Sequence, residues 1–189
     1  MKLFEGKEKF TFGGYANPSF DKSKVVILPI PFEGTVTYGK GTANGPEAII
    51  SASRHMETYD LEIGLDFFDK VGIHTLESMA LNPEDLKKVM ETIHTVVKKI
   101  LAHNKFPIIL GGEHSITPPC VQALKEKYKD LTVVQIDAHA DLRDSFDGTK
   151  YSHASAMRRC REITNVVQVG IRSRGLELFT KVRVGGILA

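Results

Sequence analysis

The chain has 189 residues, 42% apolar and 25% charged, an ordinary globular composition and enough length to bury a core without disulfide or metal staples. A formal net charge of +2, with no stretch that concentrates Lys and Arg, gives no basis for binding nucleic acid or a membrane surface. Cys120 and Cys160 form no C-x-x-C pair, so neither a disulfide framework nor a structural zinc site is expected.

The N-terminus, MKLFEGKEKF, lacks the apolar run of a signal peptide, and no apolar run of about 18 residues exists anywhere. A single domain in a reducing cytoplasm is the expectation. The first element is KVVILPIPF, Lys24 to Phe32, whose apolar continuity predicts a strand buried on both faces. Pro29 and Pro31 place an irregular end or a sheet edge there. A glycine-rich loop, EGTVTYGKGTANG, follows. PEAIISASRHM then reads as a helix, capped by Asn44 and opened by Pro46.

VGIHTL, residues 71–76, reads as a short strand. NPEDLKKVMETIHTVVKKILAHN is the clearest helix, with Asn82 as its expected cap and Glu84 and Asp85 at its positive end. Leu86, Val89, Met90, Ile93, Val96, Val97, Ile100 and Leu101 give it a continuous apolar stripe. FPIIL at 106–110 and LTVVQID at 131–137 read as buried strands, with a helix over VQALKEKYK between them. HASAMRRCREI is predicted helical and NVVQVGI, 165–171, a strand. Apolar strands alternating with helices predict an α/β fold with a parallel sheet covered on both faces. Ligands of such folds bind at the carboxyl ends of the strands.

Those ends carry the chemistry. GGEHS follows one strand and DAHAD ends the next, so neighbouring strands would set His114 beside Asp137, His139 and Asp141. In extended chain, residues i, i+2 and i+4 project from one face. Two carboxylates and two imidazoles in one pocket repel or stay unpaired without a cation, so a metal site is expected. The donors are oxygen and nitrogen only, which suits manganese and admits zinc, cobalt or iron. A carboxylate can bridge two ions, and two such ions would share a water and lower its pKa.

The other histidines have simpler explanations. His94 and His103 lie on or after the long helix, where a solvated face accounts for them. His55 and His74 have no acidic or glycine-rich setting and read as structural. His153, in KYSHAS, begins a helix twelve residues after Asp141. It is a candidate proton donor to a leaving amine, although a helix-capping loop fits its spacing equally well.

Together GGEHS, DAHADLRD and YSHAS resemble the ureohydrolase family: arginases, agmatinases, formiminoglutamases and guanidinobutyrases. PFEGTVTYGKGTANGPEAI is similar to the agmatinase-type amino-terminal motif, and QVGIRS to the strand after the family's helix. The resemblance runs from about Val25 to Ser173. It implies a three-layer α/β/α fold with a mainly parallel sheet, a binuclear Mn2+ centre, and hydrolysis of a guanidinium group to urea. It also implies a homo-oligomer, trimer or hexamer, whose partner is a small guanidine. By that resemblance Asp137 bridges two metals, His114 and Asp141 complete one of them, and His139 belongs to the other. His153 matches the family's proton shuttle or substrate contact.

The chain also departs from the family. The family's S-x-D-x-D-x-x-D-P motif supplies two more aspartates, and it is missing here. After Ser173 the chain reads RGLELFTKVRVGGILA, and the later acidic residue that pairs with the guanidinium is missing too. The expectation is one domain over 1–189, incomplete at its C-terminus, with an atypical tail at 174–189. The last strands would be lost and an apolar sheet edge left exposed. One metal would keep His114, Asp137 and Asp141, and the other only Asp137 and His139, so one ion is expected to bind well and turnover to be low. The leading reading is an agmatinase-type enzyme converting agmatine to putrescine and urea. The alternatives are a non-catalytic metal-binding protein, an enzyme for guanidinobutyrate, arginine or formiminoglutamate, and a metal-dependent deacetylase of the same fold.

Overall fold

The computed structural model describes residues 11–173 and 187–188, the last two by backbone only. Two compact units emerge. The first comprises residues 1–33, 40–82 and 96–112, and the second 34–39, 83–95 and 113–189.

The first unit is built on β1 (Val25–Ile30), flanked in parallel by β4 (Ile73–Thr75) and β5 (Phe106–Gly111). Val26, Ile27, Leu28 and Ile30 are all buried, as a central strand requires. Pro29 sits inside this central strand, not at an edge. It is tolerated because the β4 ladder stops at Ile27↔Thr75, so no regular partner needs its missing N–H. Its carbonyl still accepts from the Met79 N–H at 3.1 Å.

Helix α1 covers Gly45–Ser53. Asn44 is not its side-chain cap: it already has helical backbone angles and belongs to a preceding 3-10 turn, Thr42–Asn44. The Glu33 carboxylate accepts from the N–H groups of Gly41 and Ala43 at 2.7 and 3.0 Å instead. Residues 59–70, to which periodicity assigns no element, form with Val71, expected in the strand, a small hairpin and a helix. The hairpin is β2 (Tyr59–Asp60) with β3 (Leu65–Asp66), and the helix is α2 (Phe67–Val71). Asp66 caps α2 through the Phe68 N–H at 3.0 Å.

The long helix, α3, covers Leu86–Ala102. Its stripe from Val89 to Leu101 is buried. Asp85 does the capping expected of Asn82, accepting the Lys88 N–H at 3.0 Å. Residues 96–102 of α3 belong to the first unit and the rest to the second.

In the second unit β6 (Thr132–Ile136), β7 (Asn165–Val169) and β8 (Ile187–Leu188) run parallel in that order. The remainder of the 174–189 tail lies outside the described residues. Helices α4 (Thr117–Lys127) and α5 (Ala156–Ile163) pack on each other. Their core joins Val121, Ala156, Met157 and Cys160 to Ala140 and Leu142, with Val133 and Val166 of the sheet against it.

Strand alternation puts Val134 and Ile136 on the opposite side, 62% and 84% exposed. Among the described residues, the helices of this unit pack on the Val133 and Val166 side of the sheet. Among the described residues, no helix is long and apolar enough to cross a membrane.

Candidate metal centre

The second unit holds the site. β5 ends in Gly111, and the chain turns at Gly112 into Glu113 and a 3-10 turn, His114–Ile116. Gly112 is required there: a Cβ would lie 2.1 Å from the Phe32 carbonyl oxygen and 2.7 Å from its nitrogen. Pro118 and Pro119 then enter the first turn of α4, where a missing N–H does no harm.

The other wall is the segment after β6. The strand does not continue extended through Asp141, as the alternating pattern suggested. Asp137 N–H still bonds to Val169, but Asp141 adopts φ +49, in the left-handed region where a non-glycine residue is strained. Ala138 and Ala140 are pinned by backbone bonds to Arg172 and Ser173. Within the second unit, the turns at 114–116 and 153–155 pack on each other, and both touch α5.

His114, Asp137 and Asp141 converge, with one ligand atom of each within 4.8 Å of the others. His114 Nδ1 is 2.6 Å from Asp141 Oδ2 and 3.7 Å from Asp137 Oδ2. His139 stands apart from this trio, with its side chain 67% exposed, and its Nδ1 is 3.3 Å from Asp137 Oδ1. Burial of Asp137 opposes its ionisation. Hydrogen bonds from the His139 N–H and the Gln135 amide, with the two neighbouring imidazoles, outweigh that and hold its carboxyl below the usual range.

One oxygen–nitrogen group of three is a donor set that fits a hard or borderline divalent cation. The other oxygen of Asp137, Oδ1, faces the His139 imidazole.

Sequence reading missed the supports of this group. Gln135, counted in an apolar run, is buried, and its amide donates to Asp137 Oδ2 at 3.2 Å and to the His139 carbonyl at 3.1 Å. Gln168 backs it, donating to Gln135 and to the Ala140 carbonyl. Paired glutamines at one register position of two buried strands, Gln135↔Gln168, were the available signal. Glu113 was also passed over. It is 5% exposed and holds the loop at 34–35 through both of its oxygens.

His153 begins the turn before α5, which Ser152 caps through the Ala154 N–H. Its ring lies between Thr35 and Thr37, with Phe146 edge-on at 5.8 Å. Of the remaining histidines, His74 is buried with Nδ1 bonded to the Pro18 carbonyl, and His94 pairs with Glu126 at 2.7 Å. A cavity of about 350 Å³, lined by Met90, His94, Pro118, Tyr151, Arg159 and Ile163 among others, includes none of the five candidate residues.

Residues 23–187 match the model of a family described as "Arginase family". An N(1)-aminopropylagmatine ureohydrolase of Synechocystis is 38% identical over 166 residues, 82% of this chain and 54% of that protein. An agmatinase of Bacillus cereus is 35% identical, covering 87% of this chain and 57% of its own length. The solved agmatine ureohydrolase of Thermoplasma volcanium superposes with a TM-score of 0.80 at 36% identity, over 87% of this chain and 55% of that one. The chain thus spans little more than half the length of these relatives.

Proposed function

This chain belongs to the arginase family, and from that premise we propose that it carries the metal-holding half of an agmatinase-type ureohydrolase site. The observation that supports this most is the convergence of His114, Asp137 and Asp141, with the second oxygen of Asp137 turned to His139. In this reading His114, Asp137 and Asp141 would hold one Mn2+, and Asp137 with His139 would offer two ligands to a second. When bound, such ions supply a water of lowered pKa at neutral pH. Among the chain's own residues, Gln135 keeps the Asp137 carboxylate oriented, and His153 carries the proton to the departing amine. The reaction cleaves a guanidinium C–N bond with water: the oxygen joins the carbon, which leaves as urea, and the nitrogen takes up both water protons and leaves as an ammonium.

The substrate class follows the relatives, which are named for agmatine and N(1)-aminopropylagmatine. Both are guanidines with a cationic amine tail, and agmatine would give putrescine. The reading extends to a homo-oligomer in a reducing cytoplasm, consistent with two buried free thiols. The test is urea release by the Mn2+-loaded protein, compared across agmatine, N(1)-aminopropylagmatine, guanidinobutyrate, arginine and formiminoglutamate. Preference for the two amine-tailed guanidines supports the assignment. Preference for a carboxylate-bearing guanidine overturns the substrate class.

A second reading, a metal-binding member of the family without turnover, is favoured by one observation. Among the described residues, Asp137 is the carboxylate paired with the exposed His139, which offers a second ion two ligands. Tight binding of one metal ion with no urea from any of the five compounds would establish that reading.

A further inference from the structure

We infer that Glu113, acting through the hydroxyl of Thr35, fixes the ring proton of His153 on Nδ1 and leaves Nε2 as its proton-exchanging nitrogen. The inference rests on the reading of His153 as the proton carrier and adds how that carrier is set.

Proton counting leads to it. Glu113 is buried, and its Oε2 accepts the N–H groups of Gly34 and Thr35 at 2.8 and 2.6 Å. Its Oε1 is reached by the hydroxyls of Thr35, at 2.6 Å, and of Ser115. A carboxylate only accepts, and a threonine hydroxyl has one proton. The Thr35 proton is therefore committed to Glu113 in a short, charge-assisted bond. What remains on Thr35 Oγ1 is acceptor capacity, and two groups of His153 use it: the backbone N–H at 3.0 Å and ring Nδ1 at 3.2 Å.

An oxygen that can only accept needs a proton from Nδ1. A neutral imidazole has a single N–H, so Nε2 then carries the lone pair. Thr37 Oγ1 lies 3.1 Å from Nε2, placed to donate to it. The Ser152 hydroxyl, 3.5 Å from Nδ1, is the weaker neighbour. Glu113 and Thr35 are thus positioning residues. They select the tautomer that solvated histidine disfavours and hold the ring by its backbone and its side chain at once. Both termini of the relay come from short motifs, GGEHS and GTVT, whose middle residues otherwise have no stated task.

The test is a long-range 1H–15N correlation spectrum of the full chain, 15N-labelled at histidine, free of paramagnetic metal, at a pH where His153 is neutral. His153→Gln assigns the resonances. The expected pattern for His153 is protonated Nδ1 and bare Nε2. Thr35→Val should move most of the population to the Nε2–H form, Thr35→Ser should restore the original pattern, and Ser152→Ala should leave it unchanged. An Nε2–H form in the unsubstituted chain, or an Nδ1–H form that survives Thr35→Val, would overturn the inference. No turnover is needed, so loss of urea release and loss of this relay are separately visible.

Discussion

Asp137 Oδ1 lies 3.3 Å from His139 Nδ1, while Oδ2 of the same carboxylate faces His114 at 3.7 Å. One side chain thus addresses two imidazoles on two unequal sides. The His114 side has the Asp141 carboxylate as well, and the His139 side is open to solvent.

That inequality sets a mutational order. His114→Ala should abolish tight Mn2+ binding, whereas His139→Ala should leave a tight site in place. Gln135→Leu keeps His114, Asp137, His139 and Asp141 but removes the amide that holds Asp137 Oδ2 and leaves Gln168 one acceptor short. Loss of such an orienting partner costs roughly 10–100-fold in metal affinity. Calorimetric titration of the three variants checks the ranking, and a larger loss with His139→Ala than with His114→Ala would reverse it.

Much of this architecture was legible from periodicity. Strands β1, β5, β6 and β7 and the stripe of α3 were placed by apolar pattern, because burial forces that pattern, whereas the cap signals at Asn44 and Asn82 did not mark the true caps. The parts that were not legible depended on chain geometry. The i, i+2, i+4 spacing of Asp137, His139 and Asp141 presumed extended backbone, but the left-handed turn at Asp141 sends that residue to His114 and leaves His139 outside. Glu113 and Gln135 are buried polar residues that their partners explain, and these include Thr35 and Gln168, 78 and 33 positions away in sequence.

Gly112→Ala tests the turn that delivers His114. A Cβ would strike the backbone of Phe32, which cannot rotate away as a side chain would. Overpacking of this kind destabilises by about 1–3 kcal/mol or more. A lowered midpoint in chemical denaturation is expected, and an unchanged midpoint would show that the turn opens without strain.

Cys120 and Cys160 are buried, and desolvation pushes both thiols up to about 12. A raised pKa keeps the reactive thiolate scarce until the pH approaches that value, so at pH 8 both should resist iodoacetamide in the folded chain. Mass spectrometry should find them unmodified under native conditions and fully alkylated in denaturant. Rapid native labelling of either would contradict their burial.

Ile136, 84% exposed on β6 beside Val134, makes an apolar surface that favours association. Ile136→Lys should reduce concentration-dependent light scattering while leaving the circular dichroism spectrum intact. Equal scattering by both proteins would place the association surface elsewhere.

The most direct measurement is a Mn2+ titration followed by electron paramagnetic resonance, which counts free ion, on the chain and on Asp141→Asn. The expected result is one tightly held Mn2+ per chain, a second bound weakly if at all, and loss of the tight site in the variant. No saturable binding, two equally tight ions, or a tight site indifferent to Asp141→Asn would contradict the assignment of His114, Asp137 and Asp141 as the metal-holding group.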